Sequence, residues 1–276
     1  MTRPIEKKIQ EAEAKLLKVL LEHCRLIFEG IHLPSHDHLH HLRVWYNARR
    51  LITELSNSGK KISAGDVSRL LLSAMFHDTG LTRTLSEAHG IESRVICEDF
   101  IRRNPDLIDL DVDEALQAIE LHDRKENFTP EPDDQEINIL KILSICDDID
   151  AYGCIGVLRY AEIYILRKVP VIMLAEKVLN NLTYRLNHIE AQRWIPDHFL
   201  TEQRNRYQRT YKFYKILEQK DKSLEYKNCL SVIESYMEFV FHGKKSLNMF
   251  ALELLNCREK YISEFGLSLS LELKEH

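Results

Sequence analysis

Apolar residues recur at helical spacing along almost the whole chain, and that repeat leaves room for little except packed helices. Residues 5–29 put Ile5, Ile9, Ala12, Leu16, Val19 and Leu20 on one face. A second helix is expected over 39–55, stopped by Asn57-Ser58-Gly59. Asp66 is a candidate cap for VSRLLLSAMFHD, which ends near Thr79-Gly80. Ser86 is a candidate cap for the helix bearing Ile91, Val95, Ile96 and Phe100, which must stop before Pro105. Asp111 or Asp113 opens a helix that runs through His122, and 128–135, with two prolines, reads as a loop. INILKILSICDDIDAYG is a strongly apolar helix. Past Gly156 the pattern stays helical over 157–168, 171–190 and 197–219, and onward to about 264. Nine glycines and seven prolines are about half the usual share, too few for the turns of a sandwich or barrel. With no alternating strand pattern in view, the expected class is all-α.

Histidine is the residue out of place in this pattern. Nine of thirteen lie between His23 and His122, five of them within 32–41. Histidine is the commonest metal ligand and a general acid–base group. Helical geometry gives several of these side chains a direction. His77 follows Leu70, Ser73 and Ala74 at seven, four and three residues, so it faces an apolar side. His122 shares a stripe with Ala115 and Ile119, Asp147 with Leu140 and Leu143, and His89 with Ile96 and Phe100. One inward histidine is ordinarily a satisfied core residue. Several from separate helices point instead to a shared ligand, because buried charge is costly unless paired or metal-bound.

The order His40-x-x-Arg43-Val44, then His77-Asp78, then Asp147 resembles the H…HD…D pattern of the HD-domain superfamily of metal-dependent phosphohydrolases. The surroundings agree: SHDHLHHLRVWYNA, LSAMFHDTG and CDDIDAYGCIGVLRYA resemble the family's three ligand segments. The likeness spans about 25–165. It implies a 1–24 N-terminal helix, a 25–165 metal-dependent hydrolase core and a 166–276 helical extension. It further implies metal ligands His40, His77, Asp78 and Asp147. His89 and His122 fall where dinuclear members carry extra histidines, so the implied set is six, with Asp78 bridging. A carboxylate can span two ions, whereas an imidazole gives one lone pair to one ion. The implied cofactor is one or two divalent transition-metal ions, Mn, Fe, Co, Ni or Zn, which suit such donors better than Mg or Ca. His40 fits the spacing best among its neighbours His36, His38 and His41. His36 and Asp37 are expected to cap the helix or to stand behind a ligand.

The implied chemistry is hydrolysis of a nucleotide or other small phosphate ester by metal-activated water. Asp78, Arg43 and Arg83 are the expected catalytic residues, with Arg43 either holding a carboxylate or reaching a phosphate. Lys125 and Arg159 are expected near the bound phosphate. Asp148 and Asp150 read as outer acids or as salt-bridge partners of an arginine. Two rival readings come with the same family: a di-iron oxygenase, and a non-catalytic nucleotide-sensing module. Tyr207, Tyr211 and Tyr214 in RNRYQRTYKFYK form one helical stripe, read as a packing face. The net charge of −5 argues against a duplex-coating surface. The charged N-terminus does not fit a signal peptide, and the apolar runs are too short to span a bilayer. Six cysteines without a CxxC pair read as reduced thiols. The expected setting is cytoplasmic, with no membrane partner; self-association is left open.

Overall fold

A computed structural model describes residues 4–108, 110–124, 137–221, 223–243 and 246–274. Among them the fold is all-α, as the periodicity predicts, with no strand. No described helix is long and apolar enough to cross a membrane. The expected loop at 128–135 and Lys125 lie outside the described residues. The chain forms two compact units. One comprises Met1–Ile31, His38–Asp147 and Glu190–Leu200; the other comprises His32–Asp37, Asp148–Ile189 and Thr201–His276.

The first unit opens with α1 (Pro4–Ala12) and α2 (Lys18–Ile27), joined by a π turn at Glu13–Leu17. Ile5, Ile9, Ala12, Leu16, Leu20 and Cys24 are buried, whereas Val19 is 43% exposed, contrary to the sequence expectation. The π turn explains the difference. Its wider ring shifts the register, so residues four apart from Leu16 onward stay on the core face and Val19 turns outward.

Next come α3 (His38–Asn57), α4 (Ala64–Phe76), a 3₁₀ turn at Thr79–Thr82, α5 (His89–Arg103), α6 (Asp113–Leu121) and α7 (Ile139–Asp150). A Schellman motif closes α3: Gly59 has φ +88°, its N–H reaches Ser56 O, and Lys60 N–H reaches Leu55 O. At α4 the cap is Ser63, not Asp66. Asp66 is the third residue of a reciprocal capping box, accepting from Ser63 N at 2.8 Å while Ser63 Oγ accepts from Asp66 N. Helix α4 packs against α1, α2, α3, α5 and α6. That is why every residue from Leu70 to Phe76 is buried: a surrounded helix must be apolar on all sides. Its C-terminal end carries His77 and Asp78 into the interior.

The second unit contains α8 (Gly153–Leu166), α9 (Val171–Glu190), α10 (Asp197–Gln219, from Thr201 on), α11 (Leu224–Phe241), α12 (Leu247–Leu255) and α13 (Lys260–Lys274). Helices α11 and α13 pack on α8, whose residues Gly153–Glu162 are all buried. Glu272 of α13 supplies the acceptor that α8 lacks at its start, taking Ile155 N–H at 3.2 Å. Tyr207 and Tyr214 are buried, and Tyr214 Oη donates to Val157 O at 2.7 Å. The tyrosine stripe is a packing face, as its spacing suggested.

Candidate metal centre

Five helices of the first unit bring six side chains together: His40 from α3, His77 and Asp78 from the end of α4, His89 from the start of α5, His122 from the end of α6 and Asp147 from α7. All six are at least 96% buried. They form two groups of potential metal donors. One is His40, His77, Asp78 and Asp147; the other is Asp78, His89 and His122.

In the first group, His40 Nε2 lies 3.0 Å from His77 Nε2, 3.4 Å from Asp78 Oδ2 and 3.5 Å from Asp147 Oδ1. His77 Nε2 lies 3.7 Å from Asp78 Oδ2 and 3.8 Å from Asp147 Oδ1. In the second group, His89 Nε2 and His122 Nε2 lie 3.2 and 3.1 Å from Asp78 Oδ1. The two oxygens of Asp78 therefore divide their neighbours: Oδ2 faces one pair of imidazoles and Oδ1 the other.

The far sides of three rings decide what their near sides can do. His77 Nδ1 donates to Ala74 O at 3.0 Å, His89 Nδ1 to Ser86 O at 3.0 Å and His122 Nδ1 to Ile119 O at 2.8 Å. With Nδ1 carrying the proton, a neutral ring turns the bare lone pair of Nε2 toward the cluster. Lone pairs then face carboxylate oxygens and, between His40 and His77, another ring nitrogen. Only a proton or a cation between them makes such contacts favourable. The donor set fits divalent cations, with the backbone partner at Nδ1 setting tautomer and ring plane, as in metal-ligating histidines generally.

Charge coupling points the same way. Burial would raise Asp78, but the imidazoles of His77, His122, His40 and His89 hold it well below the ordinary carboxylate range. Burial would lower His89, but Asp78 outweighs it and lifts the ring to about 9. His77 is raised by Asp78 and Asp147 against the same burial. His77 and His89 thus hold protons where cations can compete for the same lone pairs. His41 is different. Burial, with the charges of His77 and His40, drives it well down; its Nδ1 donates to Ala74 O at 3.1 Å, and its ring packs 5.4 Å from Phe28. It is a neutral packing residue beside the cluster.

The other residues singled out from the sequence lie elsewhere. Arg43 is buried on α3, one turn beyond His40. Arg83 is at the surface, paired with Glu92 at 2.9 Å. In the second unit Arg159 donates to Asp150 at 2.8 Å, and Asp148 pairs with Arg185 at 2.7 Å, the salt-bridge alternative for both acids. His36 belongs to the second unit's own buried group: its Nδ1 lies 2.8 Å from Glu162 Oε1. Glu162 had no signal in the sequence, because a lone acid on an apolar helix carries no spacing that marks a partner. Residues 39–152 match the family model of the HD domain. No curated protein and no solved structure matches the chain.

Proposed function

Because residues 39–152 make this an HD-domain chain, we propose that it is a metal-dependent phosphohydrolase acting on a small phosphate ester, a nucleotide foremost, at a two-ion centre. The observation that carries this reading is the division of Asp78, Oδ2 toward His40 and His77 and Oδ1 toward His89 and His122. In it His40, His77 and Asp147 would hold one ion, His89 and His122 the other, and Asp78 would contribute an oxygen to each. Divalent cations bound there supply a water of lowered pKa and charge that offsets the phosphoryl oxygens.

The protein's own part is to keep six donors dry and fixed. Their burial strengthens every interaction among them, and the backbone partners at Nδ1 spare the rings any reorganisation. Arg43 is our candidate for meeting substrate phosphate, as a buried cation one helical turn from His40. Arg83, paired with Glu92, and Arg159, paired with Asp150, stay in the proposal as further candidates, as does Lys125 on its place three residues after His122. A cytoplasmic setting belongs to the same reading, favoured by six free thiols.

The test is metal analysis of the purified protein, followed by a phosphatase and phosphodiesterase screen with Mn, Co, Ni and Mg. Two metal equivalents with metal-dependent phosphate release or diester cleavage are expected. Iron-loaded protein whose turnover consumes oxygen would move the chain to the oxygenase reading. Protein that binds nucleotide but no metal would move it to the sensing reading.

A further inference from the structure

Two backbone contacts frame the second half of the centre, and both occur at glycine. Gly90, next to His89, lies so close to the end of α6 that a Cβ there would overlap Glu120 O and sit 3.3 Å from Ile119 O. Ile119 O is the carbonyl that holds His122 Nδ1. Gly80, two residues beyond Asp78, lies against the first turn of α5. A Cβ there would overlap His89 O and stand 2.7 Å from Ser93 N, and Gly80 N–H donates to Ser93 Oγ at 2.8 Å. The first turn of α5 is thus wedged between the turn after Asp78 and the end of α6 before His122. Each donor of this half-site is within two residues of one of these contacts.

We infer that Gly90 is a positioning residue for the second ion: its bare backbone lets His89 and His122 reach Asp78 together, and so decides whether the chain holds one ion or two. The first half-site does not depend on this contact. His40 and Asp147 come from α3 and α7, and His77 is fixed within α4 by Ala74 O. Any side chain at Gly90 must push α5 off α6, and its obstacle is backbone, which cannot rotate away. His89 and His122 then part while His40, His77 and Asp147 stay. The inference rests on the two-ion reading given above.

The experiment is a Co²⁺ titration followed by calorimetry and by the visible absorption of the bound ion, on the wild-type chain and three variants. Wild type is expected to bind two equivalents. Gly90→Ala is expected to bind one, with the first affinity kept and the second weakened about tenfold or more, the scale seen when ligand-orienting groups are lost. Ser93→Ala removes the partner of Gly80 N–H without adding bulk; it is expected to fold and to weaken only the second ion, severalfold. Phe100→Leu loosens the core at the far end of α5 and is expected to keep both ions at parental affinity, which a general loosening of the helix would not. Parental binding of both ions by a folded Gly90→Ala chain overturns the inference alone. Loss of the second ion in Phe100→Leu overturns it as well. If Gly90→Ala fails to fold, Ser93→Ala and Phe100→Leu decide. A wild-type chain that binds fewer than two equivalents overturns the two-ion reading and takes this inference with it.

Discussion

Asp78 in the first unit and Asp148 in the second are both buried carboxylates, and they are neutralised in opposite ways. Asp148 meets the Arg185 guanidinium at 2.7 Å and His188 at 3.3 Å. Its neighbour Asp150 meets Arg159. Glu162 accepts from Ser35 N at 3.1 Å and from Tyr236 Oη at 2.5 Å, with His36 on its other oxygen. Each of these acids meets at least one group that can only donate, an arginine for Asp148 and Asp150 and the Ser35 backbone N–H for Glu162. Asp78 instead meets imidazoles, three of the cluster's four having their Nδ1 proton committed to a backbone carbonyl. A carboxylate ringed by donors builds structure; one ringed by lone pairs builds a receptor for cations.

The sharpest way to break this contrast is to replace one acid from each side. Asp78→Asn should fold, lose both ions and lose activity on the order of 10³-fold, since several kcal/mol of charge stabilisation goes with the ions; metal analysis and the hydrolysis assay check it. Asp150→Asn should do the reverse. It breaks the buried Asp150–Arg159 pair by removing one charge, which costs about 3–5 kcal/mol, while the folded protein keeps its metal; urea unfolding beside metal analysis reads both. If Asp150→Asn empties the centre instead, the contrast between the two sets of acids is wrong.

Metal addition sharpens the same line. Co²⁺ at 100 times its dissociation constant should add about 2.7 kcal/mol of stability per site, reversed by chelator, in wild type and Asp150→Asn but not in Asp78→Asn. Thermal unfolding with and without Co²⁺ measures it. The smallest effect belongs to Tyr236→Phe. Loss of its bond to Glu162 should cost about 1 kcal/mol in urea unfolding and leave metal content unchanged.

Much of this arrangement was legible from the chain itself. Helical periodicity carried the fold, because α3, α4 and α7 each bury a continuous face and repeat accordingly. The six donors were legible because His77, His89, His122 and Asp147 sit on stripes that must face a core, where an acid or imidazole needs a reason to be. Of the second unit's acids, Asp148 and Asp150 were read as possible partners of an arginine, but Glu162 and Glu272 were not legible. Glu162 and Glu272 lie on largely apolar helix stretches, and their partners Tyr236 and Ile155 are 74 and 117 residues away. No spacing rule reaches that far. Arg83 looked available for phosphate because a loop arginine after His77-Asp78 reads the same whether or not Glu92 waits nine residues on. The cap of α4 differs from the expected one by three residues: Ser63 and Asp66 cap each other, and either residue type alone is a common helix cap.

The three carbonyl contacts at Nδ1 share one property beyond fixing a tautomer. Each runs between residues three apart: His77 to Ala74, His89 to Ser86, His122 to Ile119. The aim of each ring is therefore written into a single turn of its own segment and needs no partner from elsewhere in the fold. A chain still assembling can carry three correctly presented nitrogens on separate helix ends. What remains for the last stage of folding is docking, which sets how far apart they stand but not which way they point. An ion bound as proposed would meet side chains already facing inward, so little orientational entropy would be left to lose at that step.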